Sequence, residues 1–134
     1  MTPLTFTTNE HGSREAWRDG YNIAREGQGD SIAYVEWLLT LAKLGIRNGT
    51  VAHIGGGFCT MARIMGPRFV HDIYEIEREF KQFIPAAAAF IEGDWRDTIS
   101  GIYGIIIYDL GGEVPRELLS KFLSHDGVIL PEAP

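Results

Sequence analysis

A run of ten residues, Val51 to Thr60 (VAHIGGGFCT), constrains the fold more than any other part of the sequence. Four residues typical of a short buried strand lead into three consecutive glycines, and the segment 59–65 then predicts a short helix. Strand, glycine turn and helix are the opening of a nucleotide-binding βαβ unit. Glycine adopts backbone angles closed to other residues and lets a ligand approach the main chain. The helix directs its free N–H groups and positive dipole end toward the turn. Taken alone, triple glycine also fits a tight turn within a sheet.

The chain after this turn alternates between strand and helix patterns. Strands are predicted over residues 51–54, 69–75, 88–91, 103–108 and 128–130, and helices over 59–65, 76–83 and 115–123. The fourth strand, YGIIIY, is almost entirely apolar, as expected for a central strand covered on both faces. Alternation of this kind predicts an α/β fold with a mostly parallel five-stranded sheet and right-handed crossovers.

The N-terminal segment, residues 1–48, is predicted to be helical and to act as a lid or cap on the core. Residues 1–12 have no regular pattern, and Ser13 is a candidate cap for a helix from Arg14 to Arg25. A second helix, capped by Asp30 or Ser31, follows from apolar residues at the helical period: Ile32, Val35, Leu38, Leu39, Ala42 and Leu44.

Length and composition are those of one ordinary globular domain. The chain has 134 residues, a net charge of −6 and a single cysteine. The acidic balance argues against a non-specific nucleic-acid binder, which needs a basic face. One cysteine excludes an internal disulfide and favours a cytoplasmic location. No signal peptide and no membrane span are expected, because no apolar run approaches about 20 residues.

Glycines or carboxylates follow four of the predicted strands. The first strand ends in Gly55 to Gly57, the second at Glu75, the third at Gly93-Asp94-Trp95 and the fourth at Asp109. In an open parallel sheet the ligand binds at the carboxyl ends of the strands. We therefore expect these residues to line one site on one rim of the sheet.

Three of these carboxylates have candidate roles, each with a plain alternative. Glu75 lies 20 residues after Gly55 and suits the two hydroxyls of a ribose, although it also fits a solvated strand-end charge. Asp94 suits an exocyclic amine such as that of adenine, or simply caps a turn, and Trp95 stacks on the ring or closes the core. Asp109 either orients or deprotonates an amine at the reacting end of the ligand or caps the next turn.

The cysteine and the histidines give no independent catalytic or metal signal. Cys59 lies near a helix N-terminus, where a thiol pKa is lowered, but a buried inert thiol fits better. His11, His53, His71 and His125 lack the spacing of metal ligands, so no metal is expected.

The motifs together resemble the core of the S-adenosyl-L-methionine (SAM)-dependent methyltransferases, and most closely the spermidine-synthase-like proteins. The resemblance rests on IGGG, VHDIYEIE, FIEGDWRD and YGIIIYDL and covers about residues 50–131. It implies a Rossmann-like core with sheet order 3-2-1-4-5 that lacks the last two strands, and SAM or a related adenosyl ligand as cofactor. It implies ligand contacts at His53, Gly55, Gly56, Gly57, Phe58, Glu75, Ile76, Asp94, Trp95 and Asp109, with Asp109 also facing the reacting centre.

The sequence departs from that family at the amino-acid end of the ligand. Methyltransferases place an acid two residues before the first glycine, where this chain has His53, and spermidine synthases place an acid after the third glycine, where it has Phe58. Strand four begins Tyr103-Gly104 rather than with Tyr-Asp. The N-terminal β-domain and long acidic loop of spermidine synthases have no counterpart among the predicted elements.

The missing strands leave the fifth strand at the edge of the sheet, where a homo-oligomer is one candidate cover. The N-terminal segment is the other candidate cover, although in this family it more often forms a lid over the ligand. His11, Trp17 and Tyr21 are the lid candidates.

Four functions are compatible with the sequence. A small SAM-dependent methyltransferase acting on a small acceptor is favoured. An aminopropyl transferase suits the acidic charge, and a reduced SAM-binding or structural domain without catalysis suits the short chain. A nicotinamide-dinucleotide-binding protein ranks last, because Thr60 replaces the last glycine of GxGxxG.

Overall fold

The computed structural model of the chain describes residues 2–26 and 28–134, and the side chains of all of these except residues 28–31. The described residues form eight strands and four α-helices, with 3₁₀ turns at Arg78–Phe83 and Ser120–Phe122. The strands are β1 (Thr5–Thr8), β2 (Arg14–Arg18), β3 (Tyr21–Arg25), β4 (Gly49–Ile54), β5 (Phe69–Glu75), β6 (Ala89–Glu92), β7 (Tyr103–Tyr108) and β8 (Leu123–Leu130). The helices are α1 (Gln28–Lys43), α2 (Thr60–Met65), α3 (Trp95–Thr98) and α4 (Arg116–Leu119).

The five-stranded sheet has the predicted order. Its strands run β6-β5-β4-β7-β8 and all neighbours are parallel, which is the order 3-2-1-4-5 expected from the sequence. Strand β7 has the predicted bounds, and its three isoleucines are buried as a central strand requires. The α/β, Rossmann-like fold class is therefore confirmed.

Helix α1 covers one face of this sheet with a different side from the one the periodicity indicated. Tyr34, Trp37 and Leu41 are buried against β4 and β7, whereas Ile32, Val35 and Leu39 are exposed. The aromatic residues supply larger buried surfaces than the aliphatic ones, so they decide which side of the helix faces the core. The proposed caps Asp30 and Ser31 lie outside the described side chains, and the helix begins at Gln28.

The predicted helix from Arg14 to Arg25 is wrong, because this stretch forms the hairpin β2–β3. Asp19-Gly20 makes the two-residue turn, and both residues have positive φ, as a type I′ hairpin needs. Strand β1 pairs with β2 in the segment expected to be irregular, which completes a three-stranded antiparallel sheet. The Asp-Gly pair is a strong hairpin signal that the helical interpretation overlooked.

Aromatic packing and ion pairs join this small sheet to the core. Phe6 of β1 makes edge-to-face contacts with Phe58, Phe80 and Phe83 at centroid distances of 5.3–5.9 Å. Arg18 of β2 donates two hydrogen bonds to Glu77, of 2.6 and 2.7 Å. The carboxylate of Glu26 binds Arg14 and also Arg63 of α2. The small sheet is thus held over the segment that follows the glycine turn.

The last predicted helix is shorter in the structure than expected, and the last predicted strand is longer. The helix predicted over residues 115–123 is divided into α4 and a 3₁₀ turn, and β8 begins at Leu123 rather than Val128. Strand β8 pairs with β7 alone among the described strands and so forms an edge of the sheet. Coverage of this edge by a second copy of the chain stays a prediction. Among the described residues, none of the helices has the length and apolar character needed to cross a bilayer.

A buried histidine on β5 makes stability depend on pH. His71 is almost fully buried, and neither ring nitrogen has a hydrogen-bond partner within the described part of the chain. Burial, with a smaller contribution from nearby His53, lowers the pKa of His71 to about 4. The unfolded chain, with a histidine pKa of about 6.5, binds this proton more readily. This contribution to stability is therefore complete above pH 6.5 and is lost as the pH falls toward 4.

We expect the wild type to lose more stability than His71→Leu between pH 7.5 and pH 5.0. The difference in the change of unfolding free energy should reach about 1–2 kcal/mol, since each pKa unit is worth about 1.4 kcal/mol. Urea unfolding at both pH values measures it. An equal pH-dependent loss in the two proteins would contradict this role for His71.

Candidate ligand-binding cleft

Hydrogen bonds just beyond the strand ends bring the predicted site residues to one rim. The N–H of Gly55 donates to Tyr74 O and that of Asp109 to Ile54 O, both at 2.9 Å. The N–H of Gly93 donates to Glu75 O at 3.2 Å. Because these bonds extend the parallel ladder by one residue, the ends of β4, β5, β6 and β7 stay in register as their chains leave the sheet.

Two adjoining cavities open at this rim. The larger, of about 630 Å³, is lined by Asn22, Ile23, Ala24, Arg25, Tyr34, Gly55, Gly56, Gly57, Phe58, Thr60, Glu75, Ile76, Glu77, Phe80, Asp109 and Leu110. The smaller, of about 120 Å³, is lined by Gly55, Tyr74, Glu75, Ile76, Gly93, Asp94, Trp95, Arg96 and Leu110. Four residues line both, so the two cavities form one cleft across the rim. Nine of the ten predicted ligand contacts line this cleft; only His53 does not.

Another cavity, of about 930 Å³, lies outside the cleft, between the segment 112–118 and Pro131 to Pro134, and it exceeds both cavities of the cleft in volume. It contains none of the predicted site residues. Size alone therefore does not identify the site, and the convergence of strand ends, glycines and carboxylates favours the cleft.

Glu75 is held by the glycine turn. Its Oε1 accepts the N–H of Gly57 and its Oε2 accepts the N–H of Glu77, each at 2.9 Å. The side chain is nearly buried, and burial raises the pKa of Glu75 above its usual value while these backbone bonds oppose the rise. Each carboxylate oxygen can accept a second hydrogen bond, so a pair of vicinal hydroxyls in the cleft has two acceptors.

The three glycines have different reasons for lacking a side chain. A Cβ on Gly55 would lie 2.9 Å from Asp109 O and against Leu110, and one on Gly56 would lie 2.3 Å from Cγ2 of Ile73. Gly57 has open space around it, but its φ of +52° favours glycine. Close packing of β4, β5 and β7 therefore disfavours a side chain at Gly55 and Gly56, and a positive φ favours glycine at Gly55 as well as at Gly57.

Asp109 lies between Tyr34 and His53 in a hydrogen-bonded group, at the end of the cleft opposite Trp95. Its Oδ2 accepts the hydroxyl of Tyr34 at 2.9 Å and lies 3.2 Å from Nε2 of His53. His53 is completely buried and lies beneath the cleft rather than in its lining. Sequence reasoning missed Tyr34, which reaches the site from α1, because the periodicity of that helix indicated a different buried side.

Asp94 and Trp95 occupy the opposite end, in the smaller cavity. Asp94 caps α3, a helix that the sequence analysis did not predict, and its Oδ1 accepts the N–H of Arg96 at 3.0 Å. The indole of Trp95 is buried against Tyr108, with ring centroids 6.1 Å apart. The turn-capping and core-closing alternatives are thus realised, and both residues also line the cavity. Ile76, 62% exposed, lines both cavities.

Phe58 and Cys59 belong mainly to the core. Phe58 is buried in the aromatic cluster beneath the small sheet and also forms part of the cleft wall. Cys59 is fully buried, and burial raises the pKa of its thiol to about 11, as expected for an inert cysteine. Among the described residues, no group of three or more histidine, cysteine or acidic side chains is arranged to hold a metal ion.

The roof of the cleft comes from β3 rather than from the predicted lid residues. Asn22, Ile23, Ala24 and Arg25 line the larger cavity, whereas His11, Trp17 and Tyr21 do not. The indole of Trp17 instead donates to the hydroxyl of Thr7 within the small sheet, at 2.9 Å. Among the described residues that line this cavity, Arg25 is the single basic one, and its Nε donates a hydrogen bond to Glu15.

Known structures share this architecture. The fold resembles a SAM-dependent methyltransferase from Thiobacillus denitrificans and one from Geobacter sulfurreducens, each solved with S-adenosyl-L-homocysteine, at a TM-score of 0.54 and 19% identity over 68% of this chain and 46% of each neighbour. It also resembles the plantazolicin methyltransferase BpumL, with a TM-score of 0.58 and 22% identity over 73% of this chain and 44% of that one. The chain spans a little under half the length of these proteins.

No protein-family model matches the sequence, and no curated protein matches it significantly. At such low identity the structural neighbours show the fold. The core of this chain accordingly has the class I SAM-dependent methyltransferase fold, as the resemblance in its motifs implied. A particular closeness to spermidine synthases is not shown.

Replacement of Gly56 tests the packing requirement at the turn. We expect Gly56→Ala to lower the free energy of unfolding by about 1–3 kcal/mol, because the added methyl overlaps Ile73 in a close-packed core. The control is Gly104→Ala on β7, where the nearest atom to a new Cβ is 3.8 Å away and φ is not positive. Urea unfolding of both variants provides the comparison; equal stability of the two would contradict the packing account.

Proposed function

We propose that this chain binds SAM in the cleft and transfers its methyl group to a small acceptor. The observation that carries the proposal is the buried carboxylate of Glu75, which is fixed by the N–H of Gly57 and faces a cleft lined by the glycine turn. The fold supports it, because open parallel sheets of this type bind nucleotides at their strand ends.

The two cavities suit the two halves of an adenosyl ligand. The ribose hydroxyls would bind Glu75, where the cavities meet. The adenine would enter the smaller cavity beside Ile76 and Trp95, with Asp94 at its polar edge. The amino-acid end would lie along the glycine turn toward Asp109 in the larger cavity.

Methyl transfer in such a site depends mainly on positioning. SAM, when bound, supplies the electrophilic methyl. The protein holds the sulfonium in line with the acceptor's nucleophile and excludes water. Strand β3 covers the cleft from above, and Asp109 lines it at the end where the amino-acid part of the ligand would lie. A cleft roofed in this way favours a small acceptor.

Aminopropyl transfer is the second candidate, and one observation favours it. The N-terminal strands form a β-sheet, a feature of spermidine synthases that the sequence analysis did not expect here. Acidic residues outnumber basic ones in the lining of the larger cavity, which suits a polyamine. A stronger affinity for 5′-methylthioadenosine than for S-adenosyl-L-homocysteine would favour this candidate.

Calorimetric titration with S-adenosyl-L-homocysteine tests the proposal. We expect micromolar affinity for the wild type and a loss of at least about tenfold in Glu75→Gln, because charge-assisted hydrogen bonds to the ribose are weakened. Glu92→Gln is the matched control: it removes the same charge from the exposed residue beside Glu75 on β6. Absence of binding by the wild type, or equal weakening by both substitutions, would refute the proposal.

The same titration carried out at several pH values gives an independent check. Because burial raises the pKa of Glu75, its carboxylate is protonated at a higher pH than an ordinary glutamate. The ionised form is the one that accepts both hydroxyls, so affinity should fall on acidification as the pH passes through this raised pKa. This acid-side loss should be absent in Glu75→Gln. Its persistence there would assign it to another group.

A further inference from the structure

No acidic side chain flanks the glycine turn in the sequence, at the part of the cleft proposed to hold the amino-acid end of the ligand. The residue two positions before Gly55 is His53, and it is fully buried. Phe58, after the third glycine, belongs to the aromatic cluster. Neither residue that flanks the glycine turn therefore carries a negative charge toward the ligand. An α-ammonium in this part of the cleft needs an anionic partner from another strand.

Asp109 at the end of β7 is placed to be that partner. It lines the larger cavity beside the glycine turn, and its side chain is 19% exposed. Both neighbours, Tyr34 and His53, lie against the same oxygen, Oδ2. Within the described part of the chain, Oδ1 accepts no hydrogen bond. The carboxylate thus has one oxygen held by the protein and one available to a ligand.

The surroundings of His53 indicate which of its ring nitrogens carries the proton. Nδ1 of His53 is buried and has no partner among the described residues, whereas Nε2 faces Asp109. A neutral ring with its proton on Nε2 donates to Asp109 and leaves a lone pair, rather than an orphaned N–H, on Nδ1. The imidazole N–H and the Tyr34 hydroxyl then both donate to Oδ2 and orient the carboxylate of Asp109.

We propose that Asp109 is the ammonium-binding acid of this cleft, moved from the end of β4 to the end of β7, and that His53 and Tyr34 are positioning residues that hold its Oδ2. This inference rests on the proposed binding of an adenosyl ligand. It deepens that proposal by assigning the selectivity for ligands that carry an α-amino group. The register of β4 and β7 allows this change of strand, because His53 of β4 pairs with Ile107 of β7, two residues before Asp109.

Three adenosyl thioethers separate the contributions that the ammonium and the carboxylate of the ligand make to its affinity. S-adenosyl-L-homocysteine carries the ammonium and the carboxylate, its decarboxylated analogue carries only the ammonium, and 5′-methylthioadenosine carries neither. We expect the wild type to bind the decarboxylated analogue at least about tenfold more tightly than 5′-methylthioadenosine, as a charge-assisted hydrogen bond provides. This ratio of affinities measures recognition of the ammonium, independently of the ribose and adenine contacts.

Substitution at Asp109 should remove this ratio and leave the adenosine contacts intact. We expect Asp109→Asn to bind the decarboxylated analogue and 5′-methylthioadenosine within about twofold of each other, with the affinity for 5′-methylthioadenosine unchanged. Asp126→Asn on β8 removes the same charge outside the cleft and should keep the full ratio. Loss of affinity for all three ligands alike in Asp109→Asn would overturn the proposal.

Three substitutions test the positioning residues. Gln places a donor near the position of the histidine Nε2, so His53→Gln should keep most of the ratio, whereas His53→Leu should reduce it at least about threefold. Tyr34→Phe should reduce it with little change in affinity for 5′-methylthioadenosine. Equal ratios in His53→Gln, His53→Leu and the wild type would overturn the positioning role, even with Asp109 confirmed.

The outcomes distinguish this inference from the proposed function. A wild type that binds none of the three ligands refutes adenosyl binding itself. A wild type that binds all three with equal affinity, weakened in Glu75→Gln, retains the proposed function but overturns the ammonium site.

Discussion

The carboxylate of Glu75 connects the two chain segments on which the site depends. One oxygen accepts the N–H of Gly57 in the glycine turn, and the other accepts the N–H of Glu77 beyond β5. A buried carboxylate is costly unless it is hydrogen-bonded, so these bonds fix the geometry of the turn as they stabilise the charge. The polar centre of the cleft is therefore formed by the fold before any ligand binds.

The small N-terminal sheet extends this arrangement above the cleft. Glu77, whose N–H binds Glu75, is held in turn by two short hydrogen bonds from Arg18 of β2. The guanidinium holds the pKa of Glu77 below its usual value, so the pair stays ionised at neutral pH. Hydrogen bonds thus lead from Arg18 of the small sheet through Glu77 to Glu75, while the aromatic cluster around Phe58 supplies the apolar part of the interface.

The core was predictable from the sequence because its signals are local. Apolar strands, a glycine turn and the order of strand-end carboxylates each occupy a few consecutive residues. The N-terminal sheet was not predicted, although Asp19-Gly20 marked its hairpin, because Trp17 and its neighbours also fit a helical pattern. The contacts of Asp109 with Tyr34 and His53 depend on the register of β4 and β7 and on which side of α1 is buried, which a single sequence does not reveal.

A crystal structure of the chain with S-adenosyl-L-homocysteine would show directly whether Glu75 and Asp109 bind the ligand. We expect ribose hydroxyls within hydrogen-bonding distance of both oxygens of Glu75, adenine beside Trp95, and the α-ammonium on Oδ1 of Asp109. A ligand bound in the cavity beside Pro131, or in the cleft with its ribose turned away from Glu75, would contradict this expectation.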